Sequence, residues 1–182
     1  MALAQFVRSI QSFDSPYDQG RSQVNDDDDD FPNFSGLENM GKDLFMGRAG
    51  CDRCHQPPEF DIDDDSDNNG VITVAGDPDA IDTEITRSPS LRDIFNPDGT
   101  LNGPMMHDGS FETFEEVLAH YNDIDVNPNN NNLDNRLRGG RGGNGQNLNL
   151  DDDDMAAIVA FVKTLTGTEV YTDERWSDPF ED

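Results

Sequence analysis

Lysine is almost missing from this chain of 182 residues. Lys42 and Lys163 are the only two, and Lys+Arg number 12 against 39 Asp+Glu. A formal charge of -27 repels nucleic acid and anionic membrane surfaces, so neither is expected as a partner. The same charge suits calcium, basic proteins, or plain solubility in salty water. Apolar residues are also scarce, at 33%, and nowhere do they approach the roughly 20 in a row that a membrane span needs. Met1-Ala-Leu-Ala-Gln-Phe6 shows no basic segment followed by an apolar run, so no secretory leader is legible, and the chain reads as a mature product or a fragment. Cys51 and Cys54 are the only cysteines. That excludes a disulfide framework and leaves no second thiolate pair for a structural zinc site. The length suits one domain with extensions, and no internal repeat is present.

The two cysteines stand in Cys51-Asp-Arg-Cys54-His55. C-x-x-C-H is the attachment signal of a c-type haem. Two intervening residues let both thiols reach the two vinyl groups of one porphyrin, and the adjacent imidazole is carried beneath the iron as proximal ligand. A redox dithiol has no need of the histidine. One covalent haem is therefore expected on Cys51, Cys54 and His55. Because thioether attachment normally takes place outside the cytoplasm, a periplasmic or extracellular location follows.

Around this motif the pattern is helical. Leu3, Phe6, Val7 and Ile10 recur at helical spacing in residues 2–13. The acidic run at 26–30 reads as a solvated linker. Ser35 and Glu38 form a capping box ahead of Leu37, Met40, Gly41, Leu44 and Phe45. Asp151 caps a last helix with an acidic first turn and Lys163 in its final turn, and Gly167 is a C-cap candidate. A helix before the C-x-x-C-H and one at the end are the frame of a cytochrome c-like fold, in which they cross closely. Gly41 permits that approach, with Phe161 or Val162 opposite. Between them, residues 61–77 read as loop, 87–95 as holding a short helix after Pro89, 111–121 as a helix, and 127–150 as an Asn/Gly-rich irregular surface loop. The expected class is all-α, cytochrome c-like, with long irregular loops. Its parts are an N-terminal helix and acidic linker (1–34), a haem domain (35–168) and an extended tail (169–182).

The order of motifs resembles a known family. ALAQFVRSIQSFDSPYDQG, GKDLFMGRAGCDRCH, RSPSLRDIF, GPMMHDGSFETFEEVLAHYN, the DDDDMAAIVAFVKTLTG helix and the ERWSDPF tail are similar to the C-terminal half of di-haem cytochrome c peroxidases and their MauG-like relatives. In that family the C-terminal haem is the electron-entry haem, and peroxide reacts at the N-terminal one. With a single C-x-x-C-H here, the resemblance implies the electron-transfer half. It also implies a distal ligand on the helix after the HDG turn, Met in the peroxidases and Tyr in MauG-like members. The matching position is Tyr121, which shares a helical face with Phe114, Val117 and Leu118. The family's inter-domain calcium site maps onto Asn102 and Pro104 through their backbone carbonyls.

Several residues keep rival readings. Met106, in a Pro-containing loop, competes with Tyr121 for the sixth iron position, and His107 and His120 are ligand types known for haem iron. His120 falls one residue off the apolar face and is expected to look to solvent. Arg92 is a candidate partner for a haem propionate. Asp65, Asp67, Asn69 and Gly70 follow the first half of a calcium loop, but Gly76 stands where the closing Glu belongs. Three functions are thus expected in order: a mono-haem electron-transfer cytochrome serving a redox partner or neighbouring copies; a peroxidase-like enzyme; or a calcium-binding module of a homo-oligomer or filament.

Overall fold

Four short polar signals start the principal helices. Ser15, Ser35, Thr113 and Asp151 each accept a hydrogen bond from the N–H three residues on, while the carboxylate at that third position accepts from the cap's own N–H. In the computed structural model, which describes residues 2–62, 66–84, 86–139, 145–177 and 180, the helices are α1 (Ala2–Ser9), α2 (Pro16–Arg21), α3 (Gly36–Met46), α4 (Phe114–Asn122), α5 (Asp152–Lys163) and α6 (Glu169–Thr172). The architecture is mainly helical with one small sheet: β1 (Thr73–Val74) and β2 (Asp77–Ile81) pair antiparallel. The segment 61–77, expected as loop, thus ends in a hairpin whose turn uses Gly76 at φ +78. Residues 87–95 hold no helix, since Asp93 takes a positive φ of 56.

The centre of the fold is the crossing of α3 and α5. A Cβ placed on Gly41 would lie 1.9 Å from the Ala157 carbonyl oxygen and 2.9 Å from Phe161 Cβ. Only hydrogen fits there, so the helix backbones touch. Around the crossing, Tyr17, Phe31, Phe45, Phe60 and Phe161 form a buried aromatic cluster, packed edge-on or tilted.

The acidic segment is not a free linker. Tyr17 and Phe31 are buried in the main core, and the Tyr17 hydroxyl donates to Asp27 at 2.8 Å. Arg21 pairs with the same carboxylate at 2.9 Å. Lys42 is fully buried, with its Nζ on the Asp27 carbonyl oxygen at 2.5 Å and on Asp43 at 3.1 Å. The tail is not extended either: residues 169–172 and 174–176 form short helical turns. The Asp14 carboxylate docks them by accepting from Thr168 N–H (2.9 Å) and Glu169 N–H (3.0 Å). The C-cap of α5 is Thr164 rather than Gly167, whose N–H donates instead to Asp93. By contrast, α1 lies on the surface with Leu3, Phe6 and Val7 exposed.

Candidate haem pocket

The turn after α3 places the C-x-x-C-H segment. Gly50 takes the left-handed conformation, φ +60, and Cys51–Arg53 then winds as a single 3-10 turn. The N–H groups of Cys54 and His55 both bond the Cys51 carbonyl oxygen. This brings both sulfurs and the imidazole to one wall of a cleft of about 820 Å³, mouth solvent included. Much of the lining is apolar: Phe45 comes from α3, Ala49 from the turn after it, Ile158 from α5, and Leu91 from the loop after the motif. Helix α4 contributes Phe114, Val117, Leu118 and Tyr121 to the same cleft, as the helical period requires.

The residues fit a c-type haem. His55 Nδ1 lies 3.0 Å from the Phe60 carbonyl oxygen and 3.1 Å from that of Pro89. Two acceptors at Nδ1 fix the proton there and leave the Nε2 lone pair free for a metal. Burial holds the imidazole below its ordinary pKa, against the pull of those carbonyls, so it is neutral at neutral pH. Burial also pushes the Cys51 thiol up to about 12 and raises that of Cys54. Low-pKa thiolates define redox dithiols; these are the reverse.

Tyr121 lines the same cleft as the two cysteines. Burial pushes its phenol up to about 12, while a hydrogen bond from the Asn69 amide pulls the other way. Met106 does not line the cleft; it sits at φ +69, and its sulfur accepts from Asn69 Nδ2 at 3.5 Å. His107 is exposed, on the Thr73 carbonyl oxygen at 3.2 Å. His120 is half-buried rather than solvent-facing, with Nε2 3.0 Å from the Asn69 carbonyl oxygen and its ring against Phe111 and Tyr121.

Arg92 is elsewhere. Its guanidinium grips Asp18 with two bonds of 2.8 and 2.9 Å, takes the Ser12 carbonyl oxygen at 2.7 Å, and covers the Phe13 ring. So committed, it is no partner for a propionate. The arginines that do reach the cleft are Arg53 and Arg136. Arg136 is anchored by Asp134 at 3.1 Å, and Asp134, only 5% exposed, also accepts the Asp67 N–H. Sequence reasoning missed this pair because it lies in the Asn/Gly-rich segment read as surface loop. That segment contains buried Asn130, Leu133, Gln146 and Leu150, and its leucines were the available signal.

The described calcium candidates do not converge. Asp65 lies outside the described residues. Asp67 meets Asp134, and Asn69 turns into the haem cleft. Asn102 and Pro104 are exposed, with the Asn102 side chain on the Asp93 carbonyl oxygen at 3.3 Å. Among the described residues no group of three or more His, Cys, Asp or Glu is placed to hold a metal.

Fold and cleft together define a haem protein of cytochrome c type. No family model matches the chain. The methylamine utilization protein MauG of Methylorubrum extorquens is 32% identical over 129 residues, covering 66% of this chain and 33% of its own length. Cytochrome-c peroxidase IdrP2 of Pseudomonas sp. (strain SCT) is 25% identical over 207 residues, 95% of this chain and 50% of its own. Among solved structures, a MauG-like protein associated with microbial copper homeostasis matches with a TM-score of 0.63 at 28% identity, over 93% of this chain and 57% of that one. The diheme peroxidase BthA from Burkholderia thailandensis shares the fold, with a TM-score of 0.57 at 20% identity over 87% of this chain and 47% of its own. The chain thus resembles the di-haem cytochrome c peroxidase and MauG-like family over most of its length. It spans about a third and a half, respectively, of the two curated relatives.

Proposed function

We propose that this chain is a mono-haem, c-type electron-transfer domain equivalent to the electron-entry half of the di-haem proteins it resembles. Haem c, when bound, supplies a one-electron iron centre. The chain's own residues do the rest. Cys51 and Cys54 hold the group covalently, and His55 presents Nε2 to it. Arg136 and Arg53 meet its carboxylates. Tyr121, which lines the same cleft, would be the protein's second ligand to the group, with Met106, which does not line the cleft, as the rival. A closed iron has no room for peroxide, which leaves outer-sphere electron exchange with a redox partner or another copy. The observation that carries this reading is the single cleft that brings Cys51, Cys54, His55 and Tyr121 together. The location proposed is periplasmic or extracellular. No helix of the described residues is long and apolar enough to cross a membrane.

The test is a haem-stained denaturing gel with intact mass, followed by spectra and turnover. One haem per chain, a ferric spectrum changed by Tyr121→Phe but not by Met106→Leu, and negligible peroxide turnover are expected. An unmodified polypeptide mass from a host with the maturation machinery would refute the haem assignment. The names of the relatives favour a second reading, a peroxidase-like enzyme or half of one. High-spin ferric iron that binds cyanide rapidly and consumes peroxide would establish it instead.

A further inference from the structure

His55 is one hydrogen bond away from residues beside a second groove, separate from the haem cleft. Its Nδ1 lies 3.1 Å from the carbonyl oxygen of Pro89, an exposed residue, and 3.0 Å from that of Phe60. The neighbours of both acceptors line this groove: Ser90 follows Pro89, and Glu59 and Asp61 flank Phe60. The two segments are clipped together there. The Ser90 hydroxyl donates to the Glu59 carbonyl oxygen at 2.5 Å, and the Leu91 N–H donates to that of Phe60 at 3.2 Å. Apolar side chains share the groove, with Ile10 and Phe13 exposed and Val170 half-buried. Its charged lining is Glu59, Asp61 and Asp93 against Arg8 and Arg92. Arg92 is spent on Asp18, and Arg87 stands 3.8 Å from Asp61.

We infer that this groove is the docking surface for a small basic one-electron carrier, a protein presenting an apolar patch ringed by lysine or arginine. The chain's charge of -27 draws such a partner from a distance. At close range, exposed apolar side chains flanked by carboxylates match its face. Electrons tunnel better along bonds and hydrogen bonds than across open gaps. From His55 to Pro89 and on to Ser90 is a short path of that kind, joining the proximal ligand to the groove. One electron passes between the partner's redox centre and the haem iron, one being oxidised as the other is reduced. No bond is made or broken, and no proton moves.

This inference rests on the electron-transfer reading above, and the haem-loaded chain tests both. The probe is a small basic cytochrome c whose haem edge is ringed by lysines. Calorimetry measures its binding, and stopped-flow absorbance measures oxidation of the dithionite-reduced protein by the ferric probe. 1,4-Benzoquinone, a small neutral oxidant that needs no docking groove, is the second probe. Glu59→Lys should slow the reaction with the cytochrome roughly tenfold at low salt, and progressively less as salt rises. Asp28→Lys makes the same change of charge in the exposed acidic run and should slow it much less. Ile10→Ser should weaken binding several-fold at every salt concentration. All three variants should react with benzoquinone as the parent does. No slowing by Glu59→Lys, equal slowing by Asp28→Lys, unchanged binding in Ile10→Ser, or a haem oxidised by benzoquinone but not by the cytochrome overturns the groove. The electron-transfer reading survives each of these results. A parent haem that exchanges electrons with neither probe overturns that reading, and this inference with it.

Discussion

Replacing Gly41 by alanine should destabilise the protein, although alanine is the better helix former. Inside a helix the exchange favours alanine by about 1 kcal/mol. Against this, the added methyl would sit 1.9 Å from the Ala157 carbonyl oxygen and 2.5 Å from its carbon, both backbone atoms of α5 that no rotamer change can move. Restoring ordinary contact requires α3 and α5 to part by about 1.5 Å, more than the gap of about 0.5–1 Å that already forfeits a quarter to a half of each dispersion contact along the crossing. Overpacking of this kind costs about 1–3 kcal/mol, with a rigid backbone neighbour at the upper end or beyond. The net expectation is about 2 kcal/mol of destabilisation, or roughly 4–8 °C in melting temperature for a domain of this size. Gly36 is the control, since it lies in the same helix and has nothing within 4 Å of its added Cβ. Gly36→Ala should be neutral or slightly stabilising. Thermal and urea unfolding of the haem-loaded protein, followed by far-ultraviolet circular dichroism, measures both. A Gly41→Ala variant as stable as the parent would show that the close crossing does not hold in solution.

Arg92→Leu should cost about 1–3 kcal/mol, because it leaves the half-buried Asp18 carboxylate without its cation; the ferric spectrum and midpoint should stay put, whereas a propionate partner would shift them. Arg136→Leu should lower the midpoint in a potentiometric titration through loss of a cation from the haem cleft, and it should also lower the melting temperature because it leaves the buried Asp134 carboxylate without its cation. The Asp14 carboxyl is buried enough to push its pKa up, but bonds from Thr168 and Glu169 outweigh that and hold it below the ordinary value. A depressed carboxylate stabilises above its unfolded pKa of about 4 and loses that contribution as pH falls through the folded value. The protection of the Thr168 and Glu169 amides, relative to intrinsic exchange at the same pH, should therefore fall on acidification below about pH 4, and Asp14→Asn should remove this dependence by lowering their protection at every pH.

What was legible in the sequence is what a few neighbouring residues determine among themselves. Two chemical types at three fixed positions are enough to read Cys51, Cys54 and His55 as a haem motif. Ser35 with Glu38, and Asp151 with its acidic first turn, mark helix starts because cap and third residue bond each other. Tyr121 was named by the resemblance, and the helical period agreed, since Phe114, Val117 and Leu118 share its face and line the same cleft. Arg92 was misplaced because its partner, Asp18, is 74 residues away. A guanidinium carries no sign of which anion it will meet.

The acidic run at 26–30 shows the same limit from the side of composition. Five successive aspartates read as solvated, and most of them are exposed. The exception is Asp27, whose side chain takes Tyr17 and Arg21 while its carbonyl oxygen takes the buried Lys42. Lys42 lies on α3 beside Gly41, the residue at the helix crossing. An ammonium placed there without acceptors would be untenable, so the acidic segment must fold back over it. One of only two lysines in the chain thereby ties a run of like charges to the helix that leads into the haem motif. Net charge, summed over the whole chain, averages that interaction away.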